Sequence, residues 1–223
     1  MNPDGRYRNR REAGQFLASS LQGYEVGIDP LVLGLPRGGV PVAAEVAEGL
    51  GAPLDVFLVR KLGFPSHAEL AMGAIASGGV QVLDHPLIAA AGVSEAKLAA
   101  VITRETEELR RQEQAYRPGG PPPVGSHPVI VIDDGLATGF TMRAAVAALR
   151  QAGCPRITVA VPVGPRSTCR ELSREVDLLV CPLQPNQFLS VGAWYTDFSS
   201  ISDEEVQACL ARLPRGSPRV LFG

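Results

Sequence analysis

Short, mainly apolar runs that alternate with helical patterns are the feature that most constrains the fold of this chain. Strands in which nearly every residue is apolar are buried on both faces, as in parallel sheets covered by helices. Runs of this kind lie at residues 31–35, 54–59, 129–132, 157–163 and 176–180. The alternation predicts an α/β fold with a central, mostly parallel sheet of about five strands and helices on both faces.

Helices are predicted between and around these strands. Periodic apolar residues indicate them at residues 7–22, 40–50, 94–117, 140–152 and 166–174. A last helix opens at Ser202, where Glu205 stands three residues further on, as a capping box requires. The prolines and glycines of residues 118–123 form a linker inside one domain. Residues 62–84, which are rich in glycine, are predicted to form a mobile loop followed by a small β-hairpin.

Composition and charge disfavour several classes of function. The chain has 223 residues and a formal net charge of −2, so it fits one domain, and nothing in its overall charge indicates a surface for nucleic acid. It contains no apolar run of about 18 residues, so no membrane partner is expected. Its first residues lack the apolar stretch of a secretory leader. The cysteines lack metal-binding spacing and are predicted to be reduced thiols in a cytoplasmic protein: Cys154, Cys169, Cys181 and Cys209.

Two adjacent carboxylates, Asp133 and Asp134, follow the predicted strand at residues 129–132. This position is the carboxyl end of a parallel strand, where open α/β sheets bind ligands. The loop at residues 135–139 then leads into a helix, whose free N–H groups and dipole attract anions. Both carboxyls are expected to be ionised at pH 7, because the reference pKa of aspartate is ~3.9.

Ionised carboxylates would repel a phosphate unless a neutral or cationic group lies between them. Sugar hydroxyls can donate hydrogen bonds to carboxylates, and a hard cation such as Mg²⁺ binds carboxylate oxygens. The combination therefore predicts a site for a phosphorylated sugar with free hydroxyls, together with Mg²⁺. The alternative is a buried strand that ends in an ordinary polar turn.

The segment VIVIDDGLATGFT, residues 129–141, resembles the motif by which type I phosphoribosyltransferases bind 5-phosphoribosyl-1-pyrophosphate (PRPP). That motif has four apolar residues, two acidic residues and a small loop ending in Thr-Gly-x-Thr. The resemblance, which covers roughly residues 30–182 in order, implies that Asp133 and Asp134 bind the ribose hydroxyls. It implies that Mg²⁺ is held indirectly, through PRPP and these two aspartates. It assigns the 5-phosphate to five residues: Ala137, Thr138, Gly139, Phe140 and Thr141.

Two further loops resemble the pyrophosphate-binding elements of the same family. The turn GLPRGGVP after the first strand contains Arg37, Gly38 and Gly39, and the basic pair Arg60 and Lys61 is predicted to end the second strand. The resemblance implies that these residues bind pyrophosphate, and that Lys61 acts in catalysis with the two aspartates. Each loop has a plainer alternative, because glycine-rich turns are common between strands and helices, and basic pairs are often solvated at strand ends.

The nitrogenous acceptor is left open by the sequence. Family members that act on oxopurines usually carry an acid where this chain has Ala137, so the resemblance disfavours an oxopurine and is closer to the adenine-type pattern. Phe140 replaces a usually small residue. Its ring is expected to turn away from the phosphate, and the sheet–helix interface is one place for it.

Aromatic residues near the C-terminus either stack on the acceptor or form a small core. The first alternative places Phe188, Trp194 and Tyr195 in a hood built from residues 183–223 and part of the N-terminal helix, within a single domain of residues 1–223. In the glycine-rich loop, His67 and Glu69 either close over PRPP or are exposed and uninvolved.

The leading hypothesis is a Mg²⁺-dependent transfer of the 5-phosphoribosyl group from PRPP to a nitrogenous small molecule, with release of pyrophosphate, in nucleotide metabolism. The alternative is a regulator on the same fold that senses PRPP or a nucleotide without turnover. A third interpretation is a partner in nucleotide processing in which the fold mainly supports a homo-oligomer.

Overall fold

The computed structural model describes residues 5–64 and 67–215. Two β-sheets are formed by eight strands: β1 (Leu31–Gly34), β2 (Leu54–Val56), β3 (Val59–Phe64), β4 (His67–Ala76), β5 (Val80–Leu83), β6 (Val129–Ile132), β7 (Ile157–Ala160) and β8 (Leu178–Val180). The larger sheet has the order β2-β1-β6-β7-β8, and every pairing within it is parallel. The smaller sheet has the order β3-β4-β5 and is antiparallel.

Seven α-helices accompany the strands in the described part of the chain. They are α1 (Arg10–Leu21), α2 (Gly39–Leu50), α3 (His85–Ala90), α4 (Glu95–Tyr116), α5 (Phe140–Gln151), α6 (Arg166–Leu172) and α7 (Asp203–Ala211). Ser202 caps α7 in the predicted capping box with Glu205. Within residues 5–64 and 67–215, no helix combines the length and the apolar character that crossing a membrane requires.

Alternating strand residues divide the core into two layers, one on each face of the larger sheet. Val32 and Ile130 belong to the layer that also contains the buried residues of α1, α2, α4 and α7. Their chain neighbours Leu33 and Val131 belong to the layer that contains those of α5 and α6. This arrangement confirms the predicted α/β fold with a central parallel sheet and helices on both faces.

The prediction for residues 62–84 is right for the hairpin and wrong for the loop. β4 and β5 form the predicted hairpin, with antiparallel pairing across the turn at Ser77–Gly79. The described residues expected to form the loop instead belong to β3 and β4, which pair with each other in the three-stranded sheet. Leu62, Met72 and Ile75 are almost fully buried in the layer that contains α4, and their burial stabilises the sheet. Glycines alone are thus a poor indicator of a loop when apolar residues between them can pack.

The basic pair also lies elsewhere than predicted. The second strand ends at Val56, so Arg60 and Lys61 stand inside β3 of the smaller sheet. The side chains of His67 and Glu69 lie outside the described part of the chain, so the roles predicted for them stay predictions.

A buried ion pair ties the end of α4 to the edge of the larger sheet. Arg117, the C-cap of α4, donates from Nε to Oδ2 of Asp55 in β2 at 2.7 Å. The Asp55 side chain is 1% exposed and that of Arg117 is 13% exposed. The other carboxylate oxygen of Asp55 accepts from the backbone N–H of Val56 at 2.9 Å. The buried negative charge of Asp55 is therefore balanced by a cation only while Arg117 is present.

We expect Arg117→Met to destabilise the fold by about 3–5 kcal/mol, because it leaves the buried charge of Asp55 without its cation. The control is Arg150→Met, which removes an ion pair to Asp177 whose side chains are 39% and 36% exposed. That control should cost under about 1 kcal/mol. Urea denaturation of the three proteins measures both values, and similar losses in the two variants would contradict this account.

Candidate active site

Asp133 and Asp134 lie at the carboxyl end of β6, the central strand of the larger sheet. Both are partly buried, and the backbone N–H of Asp134 donates to Oδ1 of Asp133 at 2.8 Å. Open parallel sheets bind ligands at this edge, because the loops that follow neighbouring strands converge there. The two carboxylates therefore stand where the sequence placed them.

The protonation of this pair departs from the ordinary behaviour of aspartates. Burial, reinforced by the charge of Asp134, raises the pKa of Asp133 well above its usual range. Burial also raises the pKa of Asp134, although a hydrogen bond from Arg10 opposes that rise. The two carboxyls therefore do not ionise as free aspartates do, contrary to what was expected from the reference pKa. The pair retains a proton more readily than two exposed aspartates would.

Gly38 and Gly39 bring the turn after β1 directly against these carboxylates. A Cβ atom on Gly39 would lie 2.6 Å from the carbonyl oxygen of Ile132 and 2.8 Å from Cα of Asp133. A Cβ atom on Gly38 would overlap the carboxylate of Asp134. Such separations are too short for any side chain. The close approach of the two loops thus requires glycine at both positions.

The loop after Asp134 encloses a small cavity at the N-terminus of α5. The cavity has a volume of about 130 Å³ and is lined by Asp133, Gly135, Leu136, Ala137, Thr138, Gly139, Phe140, Thr141 and Met142. Gly139, the N-cap residue, has a φ of 75°, which favours glycine, and it has no side chain with which to cap the helix. The N–H groups of the first turn that this leaves without a cap, together with the helix dipole, suit an anion such as phosphate.

The ring of Phe140 is not in the sheet–helix interface. Phe140 is 36% exposed and stands at the cavity beside Thr138 and Thr141, which are also exposed. Its backbone N–H lies 3.5 Å from Oγ1 of Thr138, which accepts the hydrogen bond. The first turn of α5 has little packed protein over it, so a large side chain at this position remains at the surface.

Arg37 projects from the turn after β1 into a second, polar cavity of about 280 Å³. One of its guanidinium nitrogens lies 3.8 Å from Oδ1 of Asp203, which also accepts a 2.5 Å hydrogen bond from the hydroxyl of Tyr116. Arg111 and Gln112 of α4 complete the polar lining. Neither of these α4 residues was predicted to belong to a site, because helical periodicity marks them only as polar surface.

Arg60 and Lys61 are separated by the geometry of β3. Arg60 donates two hydrogen bonds, of 3.0 and 2.7 Å, to one carboxylate oxygen of Glu105 in α4. Lys61 is the next residue along the strand, so its side chain points to the opposite face of the sheet. The pair consequently does not act as one basic patch in this structure, and the pyrophosphate role of each residue stays a prediction.

The C-terminal aromatic residues lie on the side of the site where Asp134 stands. Tyr195 is 4% exposed, and its hydroxyl donates to the backbone carbonyl of Asp134 at 2.6 Å. Burial and the charge of Asp134 raise the pKa of Tyr195. Trp194 and Phe188 are partly buried against the same small cluster. The Nε1 atom of Trp194 is buried without a hydrogen-bond partner among the described residues.

The N-terminal segment packs onto this aromatic cluster. Tyr7 and Tyr195 form an isolated parallel β-bridge, in which the N–H of Tyr7 donates to the carbonyl of Trp194 at 2.9 Å. The rings of Tyr7 and Tyr195 lie 5.7 Å apart. The N-terminal segment and the aromatic segment around Tyr195 therefore meet beside Asp134, and the hood stays a prediction.

Arg10 is the site residue that the sequence did not reveal. Its Nε donates to Oδ2 of Asp134 at 2.8 Å, and its side chain is only 9% exposed. In the sequence it stands among charged residues of an amphipathic helix, which usually indicates solvent exposure. No local pattern distinguishes Arg10 from its neighbour Arg11, whose side chain is 69% exposed.

The described residues contain no group of three or more His, Cys, Asp or Glu side chains placed to hold a metal ion. The donor set does fit Mg²⁺ shared with a substrate. Magnesium is commonly bound in proteins by one or two carboxylates together with substrate phosphates and water, and Asp133 and Asp134 supply two adjacent carboxylates.

Fold and site together define a parallel α/β protein whose central strand ends in two adjacent carboxylates, followed by a loop that leads into a helix N-terminus. The family model described as "Phosphoribosyl transferase domain" matches residues 9–189. The chain therefore belongs to the phosphoribosyltransferase family, which confirms the resemblance noted for residues 129–141.

Individual relatives agree with this assignment. Over 210 residues, 94% of this chain, it is 41% identical to a protein of Mycobacterium tuberculosis whose curated name assigns it to the phosphoribosyl transferases, in the strains H37Rv and CDC 1551. The chain spans 47% of that protein, or about half its length. The crystal structure of TT1426 from Thermus thermophilus superposes with a TM-score of 0.82 at 40% identity, covering 94% of this chain and 99% of that one.

We expect Gly39→Ala to destabilise the protein by about 1–3 kcal/mol, because the new methyl group would meet backbone atoms at the end of β6 that cannot move aside. Gly23→Ala is the matched control, since its Cβ would find its nearest neighbour at 3.9 Å. That variant should stay within about 0.5 kcal/mol of the parent protein. Chemical denaturation gives both values, and an unaffected Gly39→Ala variant would refute the steric argument.

Proposed function

We propose that the protein is a Mg²⁺-dependent phosphoribosyltransferase that moves the 5-phosphoribosyl group of PRPP to a nitrogenous small molecule and releases pyrophosphate. The observation that carries the proposal is the position of Asp133 and Asp134 between the open N-terminus of α5 and the glycine turn after β1. This arrangement offers an anion site, hydroxyl acceptors and a second backbone loop in that order, which matches the order of the groups in PRPP.

In this proposal the 5-phosphate lies in the cavity lined by residues 137–141. The N–H groups of the first turn of α5 and the hydroxyls of Thr138 and Thr141 donate to it. The carboxylates of Asp133 and Asp134 accept hydrogen bonds from the ribose 2- and 3-hydroxyls. Holding both ends of the sugar fixes the orientation of C1, from which pyrophosphate leaves.

Pyrophosphate would lie over the turn at Gly38 and Gly39, and the proposal assigns Arg37 and Lys61 as the cations that meet it. Negative charge grows on pyrophosphate as its bond to C1 breaks, so cations that meet it then lower the barrier. A Mg²⁺ ion, which Asp133 and Asp134 would hold together with PRPP, would supply further positive charge against the departing pyrophosphate. Arg60 is assigned to the same role, which requires that it leave Glu105.

The acceptor would enter beside the aromatic cluster, where the hood is proposed. Trp194 and Phe188 are partly buried there, and Nε1 of Trp194, which has no partner among the described residues, provides a hydrogen-bond donor within that cluster. Tyr195 is too deeply buried to stack on a base and instead supports the backbone of Asp134. The free thiols of all four cysteines fit the proposed cytoplasmic location.

A second candidate is a PRPP-sensing regulator without turnover. It is favoured by the pairing of Arg60 with Glu105, because that hydrogen-bonded carboxylate competes with pyrophosphate for the guanidinium. A sensor needs to bind PRPP but has no developing charge to stabilise.

PRPP is expected to stabilise the protein only when Mg²⁺ is present. At about 100 times its dissociation constant the ligand should contribute about 2.7 kcal/mol, which a thermal-shift titration detects.

The double variant Asp133→Asn, Asp134→Asn should lose most of its affinity for PRPP and retain its affinity for inorganic phosphate, because the α5 N-terminus is unchanged. Equal losses for PRPP and phosphate in calorimetry would refute this division between the carboxylates and the helix.

Lys61→Ala separates the transferase from the sensor. Removal of one stabiliser of developing charge commonly costs about 10²–10³ in rate, so a transferase should lose turnover far more than PRPP affinity. The measurements are pyrophosphate release with a panel of bases and amines, and PRPP affinity by calorimetry. Lys97→Ala, at an exposed position in the first turn of α4, is the matched control. Tight PRPP binding by a parent protein that releases no pyrophosphate with any acceptor would favour the sensor.

A further inference from the structure

Arg10 is bound on three sides in the interior of the site. Its Nε donates to Oδ2 of Asp134 at 2.8 Å, and its Nη1 donates to the backbone carbonyl of Ser199 at 2.8 Å. Its guanidinium carbon lies 4.0 Å from the centroid of the Phe198 ring, in a cation–π contact. Contacts to three different groups leave this guanidinium little freedom to rotate, so its position is defined by the fold.

This side chain connects parts of the molecule that are far apart in sequence. Arg10 is the first residue of α1, Asp134 follows β6, and Ser199 belongs to the C-terminal segment. The guanidinium of Arg10 joins these three parts at one point. The carboxylate of Asp134 is thereby held from the side where the start of α1 meets the segment around Ser199.

The bond to Arg10 leaves Asp134 able to bind a ligand. A carboxylate oxygen has two lone-pair directions, so Oδ2 can accept from Arg10 and from a ligand hydroxyl at the same time. The guanidinium also supplies the positive charge that a partly buried carboxylate beside a second carboxylate needs. Without that cation, the carboxylate of Asp134 would lose both its fixed orientation and the positive charge that balances its own negative charge.

We propose that Arg10 is a positioning residue for PRPP, which acts by holding the carboxylate of Asp134 in the orientation that accepts the ribose hydroxyls. The inference rests on the proposed function, because it takes Asp134 as a ribose-binding residue. Arg10 itself touches no substrate in this account. Its effect on PRPP is transmitted entirely through Asp134.

The alternative is that Arg10 merely joins the N-terminal helix to the C-terminal segment. The two roles differ in which ligand they affect. A positioning role concerns the ribose and spares the phosphate cavity of residues 137–141, whereas loss of a structural tie would disturb both or neither. They also differ in their dependence on Asp134, because only a positioning role disappears when that carboxylate is absent.

The experiment measures the affinity for PRPP with Mg²⁺, and separately for inorganic phosphate, by calorimetry. It compares the parent protein with Arg10→Gln, Asp134→Asn and the double variant. Arg11→Gln is the matched control, because Arg11 is the adjacent residue of α1 and forms an ion pair to Glu45 with a side chain that is 69% exposed. Arg10→Lys retains the charge but cannot span both Asp134 and Ser199, so it should restore part of the affinity.

We expect Arg10→Gln to weaken PRPP binding by about 10- to 100-fold, the usual effect of losing a hydrogen bond between charged groups. Phosphate affinity should change by less than about twofold, and Arg11→Gln should bind both ligands as the parent does. In the Asp134→Asn background, Arg10→Gln should weaken PRPP binding by less than about threefold further, because the two residues act as a unit.

Unchanged or tighter PRPP binding by Arg10→Gln would overturn the inference, as would equal losses for PRPP and phosphate, or full additivity with Asp134→Asn. If Arg10→Gln does not fold, Arg10→Lys in the two backgrounds decides by the same criteria. A parent protein that does not bind PRPP removes the proposed function and this inference with it. A parent that binds PRPP beside an unaffected Arg10→Gln variant removes the inference alone.

Discussion

The structure depends most on the parallel pairing of β1 with β6 at the centre of the larger sheet. This pairing aligns Gly34 with Ile132, so the turn after one strand emerges beside the carboxylates that follow the other. The separations at Gly38 and Gly39 leave no room for a side chain between the two loops. A backbone surface and a carboxylate pair are thus brought together by strand register, before any side-chain contact contributes.

Two adjacent carboxylates in partly buried surroundings are electrostatically unfavourable, and the rest of the site is organised around that fact. Burial and mutual repulsion raise the pKa of Asp133, and Arg10 opposes the rise at Asp134. Tyr195 adds a hydrogen bond to the backbone of Asp134. A ligand that brings hydroxyls and a divalent cation would relieve the same repulsion. The repulsion within the carboxylate pair is therefore a physical reason for the site to bind the proposed complex.

Sequence reasoning succeeded where a feature was local and failed where apolar packing or distance decided. The apolar strands and the capping box at Ser202 each depend on a few neighbouring residues, and both were predicted correctly. The hairpin of the small antiparallel sheet was predicted. The pairing of β3 with β4 was missed because the glycines suggested a loop, whereas burial of Met72 and Ile75 stabilises strands. The surface position of Phe140 and the pairing of Arg60 with Glu105 likewise depend on packed neighbours that no short sequence window contains.

The sequence by itself determined the class of fold, the family and the order of the two carboxylates, the loop and the helix N-terminus, because residues 129–141 carry these features in one continuous segment. Only the tertiary structure decided what surrounds that segment. Arg10 and Asp134 are 124 positions apart, yet their ion pair is among the most buried contacts of the site. Such a contact exists only once helix and sheet have packed, since nothing local distinguishes Arg10 from an exposed arginine one residue away.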